Sequence, residues 1–169
     1  MKPVAIPRAE PFPASLLPLV TMLALATVTV MPFRIPGYAA VTPAFALMGV
    51  YHWTVYRPAL LPPLALFALG VFLDLLTGAP LGVSSIVFLL SRAVVLRNRR
   101  FFVGKEFPFV WSGFTLLAAG AVAFTWALGS LYSRELFDAR PFLLQWVLTV
   151  AIFPAADRFL VRLQRWFLP

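Results

Sequence analysis

The stretch FALGVFLDLLTGAPLG, residues 67–82, sets one carboxylate, Asp74, in an otherwise apolar run and closes it with Gly78, Pro80 and Gly82. An ionisable residue in such a run has three uses: to carry a proton or ion, to face a partner helix, or to accept hydrogen bonds that fix a local fold. The link Thr77-Gly78-Ala79-Pro80 is only long enough for a tight reversal. Pro80 suits the entry of a following helix, where its missing N–H is harmless. The free N–H groups of that helix then fall near Gly82, Val83 and Ser84, beside the returning Asp74. The spacing predicts a hairpin pinned by Asp74 through those N–H groups or through the hydroxyls of Ser84 or Ser85. Gly78 and Gly82 are expected to let the two backbones approach closely.

The rest of the chain offers little other chemistry. There is no cysteine, which excludes disulfides, thiol catalysis and thiolate metal sites. One histidine, His52, cannot form a histidine cluster, and it is expected at a helix end beside an interfacial Trp53. The six acids are not clustered with histidine or serine as an enzyme site requires, so neither catalysis nor a cofactor is expected.

The elements that must hold these residues belong to a bilayer. Only 12% of the 169 residues are charged and 62% are hydrophobic, with a mean hydropathy of +0.91. A soluble surface needs about twice that charge. A span needs about 20 apolar residues. Six segments meet or approach that length, at about 15–31, 37–53, 60–77, 81–96, 108–131 and 141–163, which together form a single integral membrane domain. Pro43 is expected to kink the second. The N-terminal apolar run, preceded by Lys2 and Arg8, reads as an uncleaved first helix.

Six spans with both termini in the cytoplasm put eleven basic residues inside (Lys2, Arg8, Arg57, Arg92, Arg97, Arg99, Arg100, Lys105, Arg158, Arg162 and Arg165) and three outside (Arg34, Arg134 and Arg140). That bias orients a membrane protein, and losing the weak fourth span would largely abolish it. The net charge of +8 therefore reads as topology and lipid contact, not nucleic-acid binding. The cluster Arg97, Arg99, Arg100 and Lys105 suits anionic lipid, with a docked cytoplasmic protein as the alternative. Arg158, Arg162 and Arg165 share a helical face suited to lipid. Asp157 is expected either to pair with Arg92 or to leave it snorkelling. Ala119, Ala123 and Ala127 form a small-residue ridge, as do Ala121, Thr125 and Gly129; packing inside the bundle is the first expectation for them and packing against another chain the second. Gln145 and Thr149 share a face that should bond inside the bundle.

The block Gly70-x-x-x-Asp74-x-x-x-Gly78-x-Pro80-Leu81-Gly82, preceded by Arg57-Pro58 and a proline-rich third segment, resembles the rod-shape-determining MreD family over nearly the whole chain. The resemblance implies an all-α inner-membrane bundle of six helices, similar to the S-components of energy-coupling-factor transporters. It implies a non-catalytic part in lateral peptidoglycan synthesis and cell shape. The implied partners are a bitopic MreC-like protein and, more widely, a RodA-type glycosyltransferase, a class B penicillin-binding protein and the MreB filament. An S-component-like role in small-molecule transport is the competing function. It would need several polar groups near mid-membrane, and those are few here.

Overall fold

The computed structural model describes residues 17–30 and 42–167. Among these the chain forms six α-helices: α1 Leu17–Val30, α2 Phe45–Tyr56, α3 Pro63–Thr77, α4 Val83–Phe102, α5 Phe107–Ser133 and α6 Arg140–Phe167. A 3₁₀ turn, Pro58–Leu60, joins α2 to α3. Proline marks several starts: Pro63 opens α3 and Pro108 lies in the first turn of α5, where a missing N–H costs nothing.

The short α2 lies at the centre. Every residue from Ala46 to Val55 is buried, so this helix has no exposed face. Around it run α1, α3, α4, α5 and α6, each packed on the next except across the gap between α6 and α1. Consecutive helices alternate in direction. Thr21 and Thr29 of α1 meet Trp53 and Ala46 of α2, an antiparallel pairing. Trp111 and Thr115 of α5 meet Val150 and Trp146 of α6, again antiparallel. Contacts from Thr42, Ala44 and His52 to Gln145, Thr149 and Asp157 run α2 parallel to α6.

The core is aromatic. Tyr51 lies edge-on to Phe114 and Phe153, and the last two stack at a centroid distance of 3.9 Å. The outer faces are apolar as well, with Leu64, Leu116, Leu131 and Phe159 all exposed. Among the described residues only α5 and α6 are both long and apolar enough to cross a membrane unaided, and no more than 22% of the most apolar stretch of each is buried. An apolar face left open on a long helix suits lipid and not water.

Several expected boundaries differ. Pro43 does not kink the second helix but precedes it, where its missing N–H costs no helical hydrogen bond. The fourth helix runs to Phe102, so Arg97, Arg99 and Arg100 sit in its last turns and not in a loop; cations there face the negative helix end favourably. The third helix starts at Pro63, after the 3₁₀ turn has used Leu60. Lys2, Arg8, Arg34, the start of the second segment and the outer ends of the first lie outside the described residues.

Candidate functional site

The α3–α4 hairpin gathers the block that dominates the sequence. Asp74 is fully buried. Its Oδ2 accepts from Gly82 N at 2.7 Å, and Ser84 N lies 3.1 Å from Oδ1 and 3.3 Å from Oδ2. The carboxylate thus satisfies N–H groups that the start of α4 would otherwise leave orphaned, and its charge is favoured by the positive end of that helix. Its own carbonyl is used too. Gly78 at φ 69° and Ala79 both donate to Asp74 O, which ends α3 in a left-handed cap. Ser85 lends Asp74 nothing; its hydroxyl donates to Phe67 O at 2.9 Å.

The glycines divide the work differently from expectation. A Cβ on Gly70 would collide with the backbone of Ser85, so α3 and α4 approach closely at Gly70. A Cβ on Gly78 or Gly82 would meet nothing within 4 Å. Those two supply positive φ, 69° and 97°, and not close approach. Pro80 lies between them, and its carbonyl accepts from Val83 N at 3.3 Å.

A second polar seam joins α2 to α6. Gln145, Thr149, Phe153 and Asp157 recur every four residues and so share one stripe of α6. Gln145 Nε2 donates to Thr42 O at 2.9 Å, and Thr149 Oγ1 accepts from Ala44 N at 3.0 Å. Further along, His52 Nδ1 lies 2.7 Å from Asp157 Oδ1, with both side chains buried. The expected Asp157–Arg92 pair does not form. Arg92 Nε donates instead to Leu61 O at 3.2 Å, and Arg99 Nε to Val55 O at 2.8 Å, so the two arginines cap carbonyls at and just beyond the end of α2. Nor are His52 and Trp53 interfacial. Both are fully buried because α2 lies at the centre of the bundle, and Trp53 Nε1 donates to Thr21 Oγ1 at 3.0 Å. His52 Nε2 finds no partner among the described residues.

Proline 154 sits inside α6 and has no N–H for the carbonyl four residues earlier, that of Val150. Trp111 Nε1 donates to that carbonyl at 3.1 Å. A neighbouring helix thus supplies the bond the proline removes.

The α5 ridge turns outward. The buried stripe of α5 is Val110, Phe114, Ala118 and Val122. Ala119 is half-buried, while Ala123 and Ala127 are exposed, so this ridge does not pack inside the bundle as first expected. Ala119 and Ala123 line a small cleft of about 270 Å³ against α6. At the other end of the bundle Arg97, Arg100 and Lys105 are exposed, as are Arg158, Arg162 and Arg165. Among the described residues no group of three or more His, Asp or Glu side chains could hold a metal.

An all-helical bundle with apolar outer faces and inward-turned polar side chains defines a protein of the membrane-embedded class. The chain belongs to the MreD family: the family described as rod shape-determining protein MreD matches residues 12–162 of the 169. Its role is therefore in rod-shape determination. No curated protein and no solved structure matches the chain.

Proposed function

We propose that this chain is a six-span inner-membrane scaffold of the rod-shape machinery, with both termini cytoplasmic and no catalytic activity of its own. It binds a bitopic MreC-like protein and, through that complex, works with a RodA-type glycosyltransferase, a class B penicillin-binding protein and the MreB filament to regulate lateral peptidoglycan synthesis. A helix arrangement like that of S-components is part of the same proposal. The alternation of helix directions supports the six-span topology, since Arg57, Arg97, Arg99, Arg100, Lys105, Arg158, Arg162 and Arg165 then share one end, and Arg134 and Arg140 the other.

The observation that carries this reading is how the polar groups are used. Asp74, His52, Asp157, Gln145, Thr149, Arg92 and Arg99 all bond within the bundle. Away from the exposed basic end, the outer faces left for contact are largely apolar, with the exposed Ala123 and Ala127 on α5. Small residues on an open helix face are how membrane helices associate. The Asp74 hairpin, its carboxylate occupied, acts in this reading as the brace that holds α3 on α4.

Small-molecule transport is favoured only by the size of a cavity of about 1190 Å³ between α4 and α5. Of its polar lining, Asn98, Ser112 and Thr115 donate to backbone carbonyls of their own helices and Tyr51 to Val110 O, so few free donors face a polar solute. Depletion in a rod-shaped host tests the choice. Rounded cells support the scaffold. Normal shape, together with saturable solute uptake by reconstituted vesicles, refutes it.

A further inference from the structure

The cavity between α4 and α5 has features that neither the hairpin nor the scaffold role uses. It holds about 1190 Å³, and its walls come mainly from α4 and α5 with Trp146 and Val150 of α6 behind. A methylene fills roughly the ~30 Å³ of a water molecule, so the space suits ~40 methylenes, about two ordinary acyl chains. Lining residues extend from Val87 to Phe102 on α4 and from Phe109 to Phe124 on α5. At ~1.5 Å per residue the cleft is about 22 Å long, longer than the ~15 Å depth of one leaflet's hydrocarbon. Its floor is kept low by Gly120, where a Cβ would meet nothing within 4 Å.

None of the residues that line the cleft is charged, and exposed cations flank it where α4 passes into α5. Val94 and Phe101 line the cleft, and the exposed Arg97 stands three residues after the first and four before the second, on the same helical edge. Lys105 is exposed in the four-residue connection that closes that end, and Arg100 is exposed one turn before it. The only acid from residue 97 to residue 110 is Glu106. A cleft of hydrocarbon character with cations at one mouth complements an amphiphile with a long apolar tail and an anionic head.

We propose that the α4–α5 cleft is a binding site for an anionic glycerophospholipid, its acyl chains between the two helices and its phosphate on Arg97 and Lys105. The site rests on membrane embedding alone and not on the scaffold role.

The test uses the full chain reconstituted in vesicles of equal palmitoyl-oleoyl phosphatidylglycerol and phosphatidylcholine, extracted in mild detergent and weighed by native mass spectrometry. At least one phosphatidylglycerol is expected to stay per chain, about tenfold or more over phosphatidylcholine, since each basic group near a membrane surface favours anionic lipid. Gly120→Phe fills the floor and is expected to lower retention of both lipids. The double change Arg97→Gln, Lys105→Gln is expected to remove the headgroup preference while tails still bind, and it decides alone if Gly120→Phe does not fold. Equal retention of the two lipids by the wild type overturns the proposal. So does unchanged phosphatidylglycerol on a folded Gly120→Phe chain, including the case where that variant instead loses a co-purifying membrane helix. A chain that inserts normally and keeps no lipid overturns this site and leaves the scaffold reading standing.

Discussion

Two buried carboxylates show how differently single residues can be read. Asp74 was legible because its partners lie within ten positions and the breaker cluster between them forces a reversal. Asp157 was not, because its partner His52 is 105 residues away and no local spacing signals the pair. Burial of Trp53 was hidden for a related reason: an apolar helix carries no mark that tells enclosure by protein from exposure to lipid. Asp74→Ala removes the acceptor for two N–H groups, and leaving buried donors unmet costs roughly 1–3 kcal/mol each. The thermal transition in detergent should fall clearly for Asp74→Ala and less for Asp74→Asn, whose amide oxygen still accepts. His52→Phe strands a buried carboxylate and should cost about 3–5 kcal/mol, whereas the double change His52→Phe, Asp157→Leu should cost less than that single one. A loss in the double change equal to the sum of the separate His52→Phe and Asp157→Leu losses would show that the pair is not coupled.

At the scale of elements, the existence of the helices was read from apolar runs, and their ends were read less well. The fourth helix outlasts its apolar stretch because arginines form helix readily and Arg99 is anchored on Val55 O. The glycines illustrate the same limit. Sequence placed Gly70, Gly78 and Gly82 in one motif but could not tell close approach from positive φ. Gly70→Ala should push α3 from α4 and destabilise by about 1–3 kcal/mol, as overpacking does. Gly78→Ala meets no atom and should cost about 1–2 kcal/mol through the left-handed backbone alone. A Gly82 substitution also meets no atom and reports backbone strain. Trp111→Phe should destabilise the bundle by orphaning Val150 O, and restoring the backbone donor with Pro154→Ala in the same chain should recover most of the loss. Failure of that rescue in thermal unfolding would break the link between the tryptophan and the proline.

For the molecule as a whole, the membrane class was written in the composition, and the alternating directions of the helices suit the positive-inside arrangement of the basic residues. A reporter that works only in the cytoplasm should be active after Arg100 or at the C-terminus and silent between Gly78 and Pro80; the reverse at either basic site would contradict the six-span topology. What composition could not convey is which surface remains for partners, because small-residue ridges look alike whether they face in or out. Ala123 and Ala127 proved to face out. The most direct measurement of the scaffold claim is co-purification, in mild detergent, of the MreC-like protein encoded by the same cell with this chain and with its Ala123→Leu variant. The expected result is a stable complex with the wild type and about tenfold weaker retention by a variant that inserts and unfolds as the wild type does. A wild-type chain that is folded and inserted yet retains no MreC-like protein would contradict it.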